Sequence, residues 1–331
     1  MLRPGKLPRP LLERLLAGRA MSAGVLVGPG VGLDGAVLDV GGTEPLVAVA
    51  DPITFASDEI GWYAVHVNAN DVACMGGRPR WFLATVLLPE GAEEAEAERI
   101  FEQMDAACRE VGAGLVGGHT EVTPGLGRPI VCGTMLGSVS QRVSAAGALP
   151  GDVLLLTKGV AIEATAILAR ERGEALRGRV EEAVLARARA FLHDPGLSVV
   201  RDARVALRAG RVHALHDPTE GGLVEGVREL CAASRTGVLL YEEAIPILEE
   251  TRLLAEPFGI DPLGAIASGA LLIAAPRPDA GRICAALREE GIDCVEIGEI
   301  RPAGEGMRMV FRDGEVGPLP AFAGDEIGKI F

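Results

Sequence analysis

Five short clusters place an acidic or polar residue beside glycine, each where an extended run ends or a helical pattern begins. They are Gly32-Leu33-Asp34-Gly35, Ala50-Asp51-Pro52, Asn68-Ala69-Asn70-Asp71, Gly117-Gly118-His119-Thr120-Glu121 and His216-Asp217-Pro218-Thr219-Glu220-Gly221-Gly222. Strand ends are where α/β folds expose chemistry, so this punctuation constrains the chain to a fold that gathers such ends. Converging carboxylates are hard oxygen donors and suit Mg²⁺ held against phosphates. Glycine lets backbone N–H groups approach the same phosphates. Together they point to ATP and Mg²⁺ as cofactors. No G-x-x-x-x-G-K-[ST] is present, and Gly28-Pro29-Gly30-Val31-Gly32 is a weak signal by itself.

The hydrophobic pattern gives the frame. Apolar, β-rich runs at 36–40 and 45–50 flank Gly41-Gly42-Thr43, which reads as a hairpin. Residues 24–35 read as a glycine-rich loop, preceded by a short amphipathic helix at 10–18. A long helix follows over 58–75, capped by Ser57 and stopped by Gly76-Gly77. Strands at 79–88, 115–116 and 129–139 and a helix at 93–111 complete an α+β half: a mostly antiparallel sheet with helices on one face. A Pro- and Gly-bearing junction at 144–152 leads into a second α/β unit. Its strands are expected at 153–157, 211–215, 238–241, 270–275 and 295–300. Its helices are expected at 161–172, 180–192, 197–209, 220–234, 246–256 and 278–290. The domains are therefore set at 1–147 and 148–331.

Each candidate residue has a plain structural alternative. Asp71, with Asn68 and Asn70, interrupts an otherwise apolar helix with poor helix formers. It reads as a metal ligand with polar support, or as local hydrogen bonding in a core. Asp51 ends a strand and Asp34 lies in a Gly-rich loop; either alone reads as a turn residue. Their joint occurrence with Asp71 argues for a shared metal. Gly117, Gly118 and Thr120 would cradle phosphate. His119 reads as a base, a phosphate donor or a structural hydrogen bonder. Asp217 would hold a second metal ion beside a helix N-terminus.

The 331-residue chain has 32 basic residues, of which only Lys6, Lys158 and Lys329 are lysines. A site that needs a compact ammonium cannot accept a guanidinium, so Lys6 and Lys158 are candidate phosphate contacts. A net charge of −14 argues against nucleic acid and against an anionic membrane surface. No apolar stretch is long enough to span a bilayer and the N-terminus leads into no signal-type core, so a cytoplasmic protein is expected. The six cysteines form no C-x-x-C pair and read as buried small hydrophobes, none of them a substrate carrier.

As an ordered set, Gly-x-Asp-x-Ala-Val, Asn-Asp-x-Ala with its trailing glycine, Gly-Gly-His-Thr and Asp-Pro-Thr-x-Gly-Gly-Leu resemble the AIR synthase superfamily over nearly the whole chain. The His216–Leu223 segment and the run from Glu243 to Pro246 look most like the branch of the hydrogenase-maturation carbamoyl dehydratase HypE. The resemblance implies two AIR synthase-like domains, a homodimer built by N-terminal strands, and Mg-ATP that activates an acceptor oxygen by phosphorylation. It implies metal roles for Asp34, Asp51, Asp71 and Asp217, nucleotide contacts for Gly30, Gly32, Asn68, Asn70, Gly117, Gly118, Thr120 and Lys158, and catalytic roles for His119 and Lys6. The pattern departs at Leu33, where many members carry Asp, and at His119, where HypE carries Asp. The printed sequence closes on Gly328-Lys329-Ile330-Phe331 where HypE has Pro-Arg-Ile-Cys. The acceptor is therefore expected to be a small molecule or borne by another protein, with a maturation protein as partner. Two further readings are a divergent AIR synthase, the phosphoribosylformylglycinamidine cyclo-ligase, and a silent nucleotide-binding scaffold in hydrogenase maturation.

Overall fold

The computed structural model describes residues 7, 9–17, 23–54 and 58–330. Lys6 and the cap residue Ser57 lie outside them. The chain forms two compact units. One comprises residues 21–28 and 34–142. The other comprises 1–20, 29–33 and 143–331. A single cut at 147/148 misses the two short N-terminal stretches that group with the later residues.

Before the junction the elements are α1 (Arg9–Leu16), β1 (Val25–Val27), β2 (Ala36–Leu38), β3 (Leu46–Ile53), α2 (Ile60–Cys74), β4 (Gly77–Leu88), α3 (Glu94–Val111), β5 (Gly114–Val122) and β6 (Ile130–Val139). The six strands form one sheet in the order β1-β2-β3-β6-β4-β5. Every pairing is antiparallel except β4 with β5. The 36–50 hairpin is present, with Ala36 opposite Ala48 and Leu38 opposite Leu46. The glycine-rich stretch that reads as a loop contains β1, which pairs with β2.

All of α2 except Trp62 is buried. It packs on β3, β4 and β6 and against α3. Glycines make that close seat possible. On β6, a methyl carbon at Gly137 would lie 2.5 Å from Val72 Cγ1, and one at Gly133 would collide with Asn68 Nδ2. The register puts alternate residues of β6 on the helix side: Val131, Gly133, Met135, Gly137 and Val139 are buried. The opposite face carries Trp81, Leu83 and Leu87 of β4 with Leu136 and Ile130 of β6, paired as Trp81 with Leu136 and Leu87 with Ile130. Among the described residues, that face has no helix of this unit on it. The N-cap of α2 is Glu59, in the left-handed region at φ 55°, and the helix starts at Ile60, two residues after the expected start at 58. Gly112 at φ 73° ends α3 as the sequence indicates.

After the junction come β7 (Asp152–Thr157), α4 (Ile162–Glu171), α5 (Gly173–Leu176), α6 (Glu182–Ala190), α7 (Val200–Ala209), β8 (Ala214–His216), α8 (Gly222–Ser234), β9 (Gly237–Tyr241), α9 (Glu249–Ala255), β10 (Leu272–Pro276), α10 (Arg277–Glu289), β11 (Cys294–Arg301), β12 (Met307–Val310) and β13 (Val316–Pro318). The seven strands form one sheet in the order β13-β12-β9-β11-β7-β10-β8. β7 is buried along its whole length, so both faces of the sheet centre are covered. Leu154, Leu156, Leu272 and Ala274 meet Leu223, Val227 and Leu230 of α8. On this sheet β12 and β13 escape sequence reading because they are only 4 and 3 residues long.

β7 and β8 both pair antiparallel with β10. Their C-terminal ends therefore lie at the same end of the sheet, where α4 and α8 start. Gly133→Ala should lower the unfolding free energy by about 1–3 kcal/mol, because an added methyl overfills the contact between β6 and α2. Urea unfolding reads this; an unchanged midpoint would show that α2 is not seated so closely.

Candidate functional site

In the sheet-and-α2 unit, Asn68 is the best-defined of the polar residues. Its Oδ1 accepts from the Asp51 N–H at 3.0 Å, and its Nδ2 donates to the Asp51 carbonyl at 3.2 Å and to the Ala64 carbonyl at 2.8 Å. The side-chain amide thus serves as a substitute peptide for β3 and holds Asp51 in place. This is a positioning role; the sequence reading offered polar support for Asp71 or local hydrogen bonding in a core, and the bonds to Asp51 reach 17 residues along the chain. Asn70 and Asp71 are buried two and three residues further along α2. Asp34 follows the glycine-rich stretch, and its carboxylate lies within 4.8 Å of the Cys74 thiol. Cys74 is one turn beyond Asp71 on α2, and that spacing is the signal by which it was findable. Within either unit, no three ligand atoms of His, Cys, Asp or Glu among the described residues lie that close together. A thiol is a soft ligand and does not suit Mg²⁺, which is held by one or two carboxylates, waters and phosphates. Asp34 fits that coordination; Cys74 does not.

Gly117, Gly118, His119 and Thr120 do not form a loop after a short strand. They lie inside β5, an edge strand exposed along almost its whole length. Gly118 sits at φ 145°, and a methyl carbon there would collide with the Ala84 carbonyl of β4. The first role of that glycine is thus close strand pairing. Thr120 lies opposite Val86 in register. The His119 side chain is 66% exposed, and its Nε2 lies 3.1 Å from Glu121 Oε2. Hydrogen bonds from His119 and Thr123 hold the Glu121 carboxyl below its ordinary range.

In the seven-stranded unit, the loop from Asp217 to Gly221 leads from β8 into α8. Asp217 is buried. His216 Nε2 lies 3.1 Å from Glu229 Oε2 on α8. Gly30 and Gly32 belong to this unit. At Gly32 a methyl carbon would sit 2.5 Å from the Glu229 carbonyl oxygen, so glycine is required by the passing helix. Lys158, the candidate phosphate contact, has internal partners for its ammonium. Its Nζ donates to the Ser198 carbonyl at 2.6 Å and the Gly196 carbonyl at 3.3 Å, and lies 3.5 Å from Asp202. A buried ammonium needs such acceptors and a counter-charge.

Asp325, which sequence reading missed, ties this region together. Its carboxylate accepts from the N–H groups of Gly221 at 2.7 Å, Ile266 at 3.2 Å and Ile327 at 2.9 Å. Burial raises its pKa despite those donors. Ala164 N–H donates to the Ile266 carbonyl and Ala267 N–H to the Thr219 carbonyl, so the starts of α4 and α8 share the 265–270 segment. Glu163, in the first turn of α4, is buried there. Its Oε2 has no hydrogen-bond partner among the described residues. Burial pushes the carboxyl up to about 7, with the negative charges of Asp325 and Glu220 adding to the effect. Ser268 lies near enough to favour the ionised form, although its hydroxyl closes no hydrogen bond of good geometry.

Comparison with known proteins places the chain. Residues 32–139 match the AIR synthase related protein N-terminal domain, and residues 150–310 match the C-terminal domain. The chain belongs to the AIR synthase related family. It is 34% identical over 261 residues to the carbamoyl dehydratase HypE of Cupriavidus necator, covering 76% of this chain and 70% of that protein. It is 30% identical over 260 residues to HypE of Escherichia coli, covering 76% and 73%. A crystal structure of the hydrogenase maturation protein HypE in complex with ATP superposes with a TM-score of 0.73 at 27% identity, covering 96% of this chain and 91% of that one.

The Glu163 carboxyl supplies a pH test. Its ordinary value is 4.5 and its folded value about 7. Between them the folded chain holds a proton that the unfolded chain has lost. The Glu163 component of stability is therefore greatest in acid, falls as pH rises from 4.5 towards 7, and is level above that, a change of about 3 kcal/mol. Glu163→Gln should remove this component. Denaturant unfolding at pH 5 and pH 8 should show a smaller loss for the variant; identical pH dependence would contradict the assignment.

Proposed function

We propose that the chain is a Mg-ATP-dependent enzyme that activates an acceptor oxygen by phosphorylation. The observation that carries this reading is the likeness to HypE in complex with ATP, at 27% identity along 96% of the chain. The acceptor is a small molecule or a group borne by another protein, and a maturation protein is the fitting partner for a relative of HypE.

The residues fit the metal. Asp34, Asp51 and Asp71 in the first unit supply hard oxygen donors of the kind that hold Mg²⁺, and Asp217 supplies another in the second. When bound, the ion neutralises phosphate charge and polarises the transferred group. The chain's own residues do the rest. Asn68 fixes the main chain at Asp51 through both its N–H and its carbonyl. Asp325 fixes the entry to α8 through Gly221. The start of α8 presents backbone N–H groups suited to an anion. Gly117, Thr120, Asn70 and, outside the described residues, Lys6 are the proposed nucleotide contacts. His119 is exposed enough to meet a substrate and has Glu121 to orient its ring.

Two tests follow. Calorimetry should show ATP binding that is lost in EDTA. Asp71→Asn should weaken Mg-ATP binding by about 1–3 kcal/mol, while the apo protein folds at least as well as wild type. Reduced apo stability with unchanged nucleotide affinity would make Asp71 structural.

The second test concerns assembly. The helix-free face of the six-stranded sheet carries Trp81, 40% exposed, beside Leu83, Leu87 and Leu136. A patch of this kind calls for a partner. We propose a homodimer through it. Light scattering should give twice the chain mass, and Leu83→Glu should give the single-chain mass. A monomeric wild type at micromolar concentration would refute the interface.

A further inference from the structure

Four of the six cysteines behave as the sequence reading expects. Cys74, Cys108 and Cys231 are buried, and Cys132 lies half-buried in β6. Burial pushes the thiols of Cys108 and Cys231 up to about 11, which leaves them protonated and unreactive. The other two stand apart. Cys284 is on α10 and Cys294 is the first residue of β11, and their sulfurs lie 3.2 Å apart. We propose that Cys284 and Cys294 form a reversible intrachain dithiol–disulfide couple, oxidised by a peroxide and restored by a dithiol reductant.

Position assigns the roles. Cys284 is half-buried and reachable by a small oxidant, whereas Cys294 is 3% exposed. Cys284 is therefore the attacking sulfur and Cys294 the resolving one. The hydrogen bond shared with Cys294 favours the Cys284 thiolate, and Arg288, one turn along α10, adds to that; Glu296 opposes it. Cys294 is driven the other way, first by holding the shared proton and then by burial.

The chemistry balances. The Cys284 thiolate attacks one peroxide oxygen, the O–O bond breaks, and the leaving hydroxide or alkoxide takes up the proton that the Cys284 thiol released, giving water or an alcohol and a sulfenic acid at Cys284. The Cys294 sulfur then attacks the Cys284 sulfur. Its proton leaves with the sulfenic hydroxyl as water, and the S–S bond forms. Two thiols lose two electrons in all, and the peroxide gains them. Bond formation needs the sulfurs to close to about 2.05 Å, a change within reach of side-chain rotation.

The link would act on the strand-end region described above. Cys294 lies opposite Thr157 in register, at the end of β7, and the Lys158 N–H donates to the Asp293 carbonyl at 2.8 Å. A disulfide would fasten α10 to the segment that holds the β7 end, and with it the approach to α4.

The experiment uses the full, folded chain with hydrogen peroxide as oxidant. Intact mass should fall by about 2 Da. Peptide mapping should find one cross-link, between residues 284 and 294, and a dithiol reductant should reverse it. Cys294→Ala, treated alike, should give no cross-link and a sulfenic acid at Cys284 that dimedone traps. The proposal is overturned if folded wild type keeps all its thiols, if oxidation requires denaturant, or if the cross-link joins other cysteines or two chains. The wild-type measurement decides the matter even if a variant fails to fold.

Discussion

The close seat of α2 on β3 and β6 governs the first unit. Gly133 and Gly137 leave the helix-facing side of β6 without side chains at two alternate positions, and α2 occupies the space. A helix buried on nearly every side can carry polar residues only if each finds an internal partner or a ligand. Asn68 solves this by bonding to the main chain of Asp51, which turns a potential core defect into the link between helix and strand end. Asp71, three residues on, is carried by the same rigid helix. The placement of these polar residues therefore depends on packing, and only then on electrostatics.

The second unit solves a different problem. Two helices, α4 and α8, begin at one end of a sheet, and their first turns need acceptors. Asp325 supplies one to Gly221 and also bonds to the 265–270 segment, from a position far along the chain. The local field is negative: Glu163, Glu220 and Asp325 lie close enough to raise the Glu163 pKa. Lys158 relieves none of this, because Asp202 and two carbonyls hold its ammonium elsewhere. A nucleotide phosphate brought to such a surface would need a cation to accompany it, which is the physical case for Mg²⁺ in the proposed reaction.

Much of this architecture was written in local sequence. The helix over 94–111 ends at Gly112 because only glycine adopts the left-handed stop freely, and the 36–50 hairpin follows from apolar runs around Gly41-Gly42. The ordered Asp and Gly motifs identified the family, since each is a short segment whose residues answer to local backbone demands. Beyond local reach, the sequence was mute. It suggested a loop at Gly117–Thr120, where the fold has an exposed edge strand, and it could not foresee the carbonyls that surround the Lys158 ammonium. It scattered the cysteines evenly, whereas folding brings Cys284 and Cys294 to 3.2 Å. Asp325 and Glu163 carried no motif at all. Element type and family are thus fixed by patterns a few residues long. Which groups hold an ammonium, which thiol has a neighbour and which carboxyl keeps its proton depend on burial and on partners far along the chain, 104 residues away in the bond from Gly221 to Asp325, and those exist only once the chain has folded.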